Sequence, residues 1–261
     1  MATGTISFVA SIEGLELEEL EVSFPHPSIK RLLLKTQEDG KLHIDFDLID
    51  VYSEREAVSV VKDLIGPIVS RISYEFNCPI GDPRFASISL PTDSSGLSNR
   101  VIAEIVCLND ICSGTIKPNE DKRQKLRRTF GFPVSETDLY LSLYRFCLGQ
   151  KDPLARFLSL YHLLVLIVAD EDESQWRIDS AIKRIDPDVE MTVKPESKRN
   201  PKRNRKSESP KLETAYTRLR NEIVHRRLGK LLPQTKEEVK ERVGGLQEIA
   251  RKLISEIVKV G

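Results

Sequence analysis

Sulfur is scarce in this sequence: four cysteines, Cys78, Cys107, Cys112 and Cys147, stand among 261 residues and no two form a C-x-x-C pair. That spacing supplies neither a disulfide framework nor a zinc-ligand pattern. Aromatic residues amount to 6%, with a single tryptophan, and there are only four histidines. No apolar run reaches the roughly 20 residues that a bilayer span needs. The longest, "FLSLYHLLVLIVA" at 157–169, is interrupted by His162 and reads as a buried helix. The opening "MATGTISFVASIEG" has no basic stretch ahead of a long apolar one, so the expectation is a cytoplasmic protein without a secretory leader or membrane attachment.

What is present is ordinary for a soluble globular protein. Hydrophobic residues make up 39% and charged residues 31%, enough for one large domain or two smaller ones, each with a real core. The formal net charge is zero, but the charges are unevenly placed. Residues 1–60 carry 12 acidic against 5 basic side chains, a net of −7, while residues 126–261 carry 27 basic against 20 acidic, a net of +7. A basic carboxy-terminal half attracts polyanions, and an acidic amino-terminal half repels them or meets a basic partner.

The first 125 residues read as an α+β domain whose role the sequence does not state. Period-two alternation marks strands at 5–11, 15–24 and 41–49, clearest where Leu42, Ile44, Phe46 and Leu48 alternate with His43, Asp45 and Asp47. Residues 54–76 switch to helical spacing, with Val58, Val61, Leu64, Ile65, Ile68 and Ile72 on one side, and Gly66-Pro67 is expected to kink or split that helix. Further strands are expected at 86–90 and 101–108, separated by the turn-rich "PTDSSGLSN".

From about residue 130 to 261 the pattern is helical and predicts an all-α bundle of four or five members. Ser135 is placed to cap a helix that turns Leu139, Leu143 and Phe146 inward and stops at Gly149. Asp152-Pro153 opens the next, running to about residue 169. A short helix at 173–185 is expected to bury Trp176 and Ile182, and Thr235 with Glu238 form a capping box for the last helix. Between them, residues 190–210 are expected to be a flexible basic loop. Its stretch 194–211, "KPESKRNPKRNRKSESPK", has no apolar side chain except proline and cannot repay the entropy of ordering. Its cations, among them Lys202, Arg203, Arg205 and Lys206, can contact phosphates.

The chemistry concentrates in "TRLRNEIVHRR" at 217–227. Leu212, Tyr216, Leu219 and Ile223 give this segment an apolar stripe, with Arg218, Asn221, Glu222 and His225 pointing elsewhere. Arg220 and His225 lie about 140° apart on an ideal helix. They converge only if the helix ends near His225 or a second subunit supplies the other half, and Gly229 and Pro233 put an end close by. Histidine titrates near neutrality and can take a proton from a 2′-hydroxyl or return one to a leaving oxygen. Arginine matches a phosphate gaining negative charge. That pairing suits metal-independent phosphoryl transfer on RNA, and no cofactor or metal cluster is apparent. The competing reading is simpler: cations suit the carboxy-terminal end of any helix. His162 reads as a core or interface histidine, and His26 and His43 have no visible partners.

The "RNEIVH" at 220–225, inside a late helix of a helical bundle, resembles the signature of the HEPN superfamily: arginine, a polar residue and, after a short gap, histidine. "YTRLRNEIVHRR" with "TKEEVKERVGGL" is also similar to proteins labelled MauJ-like, of methylamine utilisation. The HEPN resemblance covers the carboxy-terminal half only. It implies a helical domain and an endoribonuclease of toxin-antitoxin or antiphage defence systems, acting without metal through a homodimer. In that role Arg220 steadies the phosphate, Asn221 orients it and His225 is the acid/base or substrate-orienting group. Arg218, Arg226 and Arg227 bind backbone phosphates at most, RNA is the partner, and a neutralising or activating protein can accompany it. The superfamily also implies the alternative of an inactive module that binds RNA, a nucleotide or a protein.

Overall fold

The computed structural model describes residues 3–91, 97–101, 116–131, 134–168, 175–193, 212–225 and 233–260. The chain is mixed α+β, with most helices in its carboxy-terminal half. It forms two compact units, residues 1–149 and 150–261.

The first unit is built on a six-stranded antiparallel sheet in the order β2-β3-β4-β1-β5-β6. Its strands are β1 (Thr3–Ser11), β2 (Leu20–Val22), β3 (Ile29–Thr36), β4 (Lys41–Ile49), β5 (Arg84–Pro91) and β6 (Leu97–Val101). The alternation that marks β4 in the sequence is realised: Leu42, Ile44, Phe46 and Leu48 are fully buried and His43, Asp45 and Asp47 line the opposite face. Strand β3 was not visible to that test, because Leu32-Leu33-Leu34 masks the alternation and the register shifts between Ile29 and Arg31. The expected strand at 15–24 shortens to β2, while Leu17 is pinned by exchanging hydrogen bonds with Thr36. β6 begins inside the stretch read as a turn, and the expected strand at 101–108 lies outside the described residues beyond Val101.

Helix α1 (Glu54–Phe76) shares the sheet's core through Ala57, Val61, Ile65, Ile68, Val69, Ile72 and Phe76. Ser53 caps it by accepting from the Glu56 amide. Pro67 does not split the helix, and Val58, expected inward, is exposed. Helix α2 (Glu120–Phe130) escaped detection because only Leu126 and Phe130 of its 11 residues are buried.

Helix α3 (Thr137–Leu148) belongs to this unit, packing on α1. It presents a different face from the expected one: Leu141, Tyr144, Cys147 and Leu148 are buried, whereas Leu139 and Phe146 are 62% and 61% exposed. Polar contacts decide the rotation. Arg71 on α1 grips buried Asp138 at 2.7 and 2.8 Å, and Tyr144 donates to Asn77 at 2.6 Å. Ser135 does not cap α3 through its side chain, which bonds the Thr137 hydroxyl instead.

The second unit contains α4 (Pro153–Val168), α5 (Gln175–Ile185), a hairpin of β7 (Met191–Val193) and β8 (Leu212–Thr214), α6 (Ala215–His225) and α7 (Pro233–Val260). Asp152 caps α4 as expected, accepting from the Leu154 and Ala155 amides at 3.3 Å. The unit is helical but not purely so, since the hairpin brackets residues 194–211, which lie outside the described residues. The capping box does not form: Thr235 donates to Glu222, and Glu238 pairs with Arg218 and Arg242. Trp176, read as core, is exposed, and so is His162, which leaves only the interface half of its core-or-interface reading. No helix among the described residues is long and apolar enough to cross a membrane.

Two outcomes test this packing in urea unfolding of the full chain. Arg71→Ala leaves the buried Asp138 without its cation and is expected to cost about 3–5 kcal/mol. On α7, a side chain at Gly245 would collide with the Tyr216 hydroxyl, while nothing lies within 4 Å of one at Gly244. Gly245→Ala therefore destabilises by about 1–3 kcal/mol, and Gly244→Ala stabilises by about 0.5–1 kcal/mol through helix propensity.

Candidate functional site

The start of α6 is fixed by buried polar chemistry. Thr214 precedes the helix and caps it, its hydroxyl accepting from the Thr217 amide at 3.2 Å. A single oxygen of buried Asp179, on α5, accepts from the Thr214 amide at 3.0 Å, the Thr214 hydroxyl at 2.7 Å and the Thr217 hydroxyl at 2.6 Å. The Thr217 hydroxyl also shares a 2.9 Å hydrogen bond with that of Tyr161 on α4. Burial pushes the Tyr161 hydroxyl up to about 12, outweighing the opposing effect of the Thr217 bond.

One turn further on, the motif residues emerge. Asn221 donates to Glu213 at 3.1 Å and accepts from Arg220 at 3.0 Å. The Arg220 guanidinium also lies over the Tyr161 ring, 5.9 Å from its centre. Glu213 is 2% exposed, and the same carboxylate oxygen accepts from Gln175 on α5 at 2.9 Å. Arg220 and Asn221 thus form one oriented pair, half-open to solvent, anchored on a buried carboxylate. Sequence reasoning missed Glu213 and Tyr161. Glu213 stands eight residues before Asn221 and joins it from a strand, and no helical spacing marks such a partner.

His225 is the last residue of α6 and is exposed. The helix is continuous from Ala215 to His225, so on one chain Arg220 and His225 point about 140° apart. Arg218 is engaged elsewhere. It pairs with Glu222 at 2.9 Å and with Glu238, which also meets Arg242 at 2.9 Å, tying α6 to α7. Burial alone would push the Glu238 carboxyl up, but these two guanidinium groups hold it below its ordinary value. With two carboxylates at its guanidinium, Arg218 is a structural cation rather than a free phosphate contact. Arg226, Arg227, Lys202, Arg203, Arg205 and Lys206 lie outside the described residues. No group of three or more His, Cys, Asp or Glu side chains among the described residues could hold a metal ion.

Comparison with known proteins returned no matching family model, curated protein or solved structure.

The Tyr161 environment gives a pH test. Its hydroxyl has an ordinary value of 10.0 when unfolded and one raised to about 12 in the fold, so its contribution is fully present below pH 10 and is lost as pH rises through 12. Tyr161→Phe is expected to cost about 1 kcal/mol at neutral pH through the lost hydrogen bond. The variant lacks this alkaline loss, which over about two pKa units exceeds that cost, so the wild type's advantage disappears and then reverses between pH 10 and 12 in urea titrations.

Proposed function

We propose that this chain is a metal-independent endoribonuclease of HEPN type, acting on RNA in the cytoplasm through a site that two copies complete, in a toxin or antiphage defence setting. The observation that carries the proposal is the Arg220–Asn221 pair, held in one orientation by Glu213, on the same helix as an exposed His225. A guanidinium already oriented spends less entropy in receiving a phosphate.

In the proposed reaction His225 acts as the acid/base group. The 2′-oxygen loses its proton and attacks the adjacent phosphorus, while Arg220 balances the charge gained by the phosphoryl oxygens. The bond to the 5′-oxygen breaks and that oxygen takes a proton, leaving a 2′,3′-cyclic phosphate and a 5′-hydroxyl. The divergence of Arg220 and His225 on a continuous α6 favours a two-fold arrangement in which each copy supplies part of the site.

A second reading draws on a different observation. Glu213 places a buried carboxylate within hydrogen-bond reach of Asn221, and Arg220 is already engaged by Asn221 and the Tyr161 ring. Those contacts hold Arg220 back from following the charge that develops on a reacting phosphate and suit an inactive module that binds RNA, a nucleotide or a protein.

The deciding experiment is cleavage of total RNA and tRNA by the purified chain in EDTA, with analysis of the new ends. Cyclic phosphate ends that fall by about 10²- to 10⁴-fold in both His225→Ala and Arg220→Ala, with RNA binding retained by His225→Ala, establish the enzyme. Binding without cleavage by the wild-type chain assigns the module, and light scattering on the same samples tests for the dimer.

A further inference from the structure

Trp176 is the only tryptophan of the chain, and as the second residue of α5 it leaves 64% of its surface open to solvent. An indole gains heavily from burial, and α5 has a buried stripe of Ile178, Asp179 and Ile182 on which to place one. Trp176 instead lies about 60° around the helix from Asp179, on the flank of that stripe. The Arg177 guanidinium stands over its ring, 5.7 Å from the centre. One face of the indole is thereby given to a cation.

The first turn of α5 is tied to the motif on both sides of Trp176. Gln175, immediately before it, donates to the Glu213 oxygen that also accepts from Asn221. Asp179, three residues after it, accepts from Thr217 on α6. The helical turn that carries the indole is therefore fixed to α6 and, through Glu213, to Asn221.

Single-stranded RNA offers an arginine a phosphate and offers an aromatic ring an unpaired base beside it, and such stacking tolerates any base. A cation against one face of the ring suits a base on the other and adds attraction for the backbone. We infer that Trp176 is a stacking platform for an unpaired nucleobase of an RNA whose phosphate meets the Arg220–Asn221 pair. This rests on the ribonuclease reading above.

The single tryptophan makes the test direct. The full chain is titrated with a labelled, 2′-O-methylated single-stranded oligonucleotide, which lacks the nucleophile and cannot be cut, and with the corresponding duplex. Label anisotropy reports binding and tryptophan emission reports stacking. The single strand is expected to quench the emission over the same concentration range in which anisotropy rises, and the duplex to leave it unchanged. Trp176→Ala is expected to weaken single-strand binding about ten- to a hundredfold, with Trp176→Phe recovering much of it.

Binding with unchanged emission, and a Trp176→Ala variant that binds as the wild type does, overturns the platform and leaves the ribonuclease reading intact. Absence of both oligonucleotide binding and cleavage of natural RNA overturns that reading, and the platform with it. Emission that shifts with protein concentration alone, without RNA, assigns the indole to a contact between copies and also overturns the platform.

Discussion

The second unit depends on one oxygen atom of Asp179. A carboxyl group taken out of water must recover its lost hydration from the protein or it destabilises the fold. Here the backbone and hydroxyl of Thr214 and the hydroxyl of Thr217 all converge on that oxygen. Satisfying it therefore fixes where α6 begins and how it is rotated about its axis relative to α5. Tyr161 adds α4 through the Thr217 hydroxyl. Once those rotations are set, Arg220 and Asn221 fall beside Glu213 and Tyr161, and His225 falls on open surface at the helix end.

The first unit solves a similar problem with charge. Arg71 and Asp138 are both buried and meet through two hydrogen bonds, which overrides the apolar periodicity of α3. Leu139, Leu143 and Phe146 make a plausible inward stripe on spacing alone. A buried ion pair left apart would cost more than two exposed apolar side chains, so Asp138 faces inward and the expected stripe does not. Trp176 gives a milder case in the second unit, where the demand of Asp179 for its threonines sets which side of α5 is buried.

The motif was legible and its surroundings were not. Arg220, Asn221 and His225 stand within six residues, and their side-chain chemistry can be read without a fold. Helical spacing further said that Arg220 and His225 diverge, and the continuous α6 keeps that divergence. Glu213 and Tyr161, by contrast, reach the motif through a strand end and another helix, 8 and 56 or more residues along the chain from their partners. Arg218 shows the converse: a cation in the right segment is neutralised by Glu238, 20 residues away.

By itself the sequence determined the alternating strands, the apolar helices and the place of the Arg-Asn-His motif, whereas α3, read as part of the helical half, lies in the first unit. These follow from local periodicity and short-range capping, which act between residues a few positions apart. Tertiary structure alone decided β3, the β7–β8 hairpin, the rotations of α3 and α5, and the partners of Arg218, Arg220 and Asn221. The physical reason is the same in each case: a buried polar group takes its partner wherever the fold supplies one, and that demand leaves no local period in the sequence.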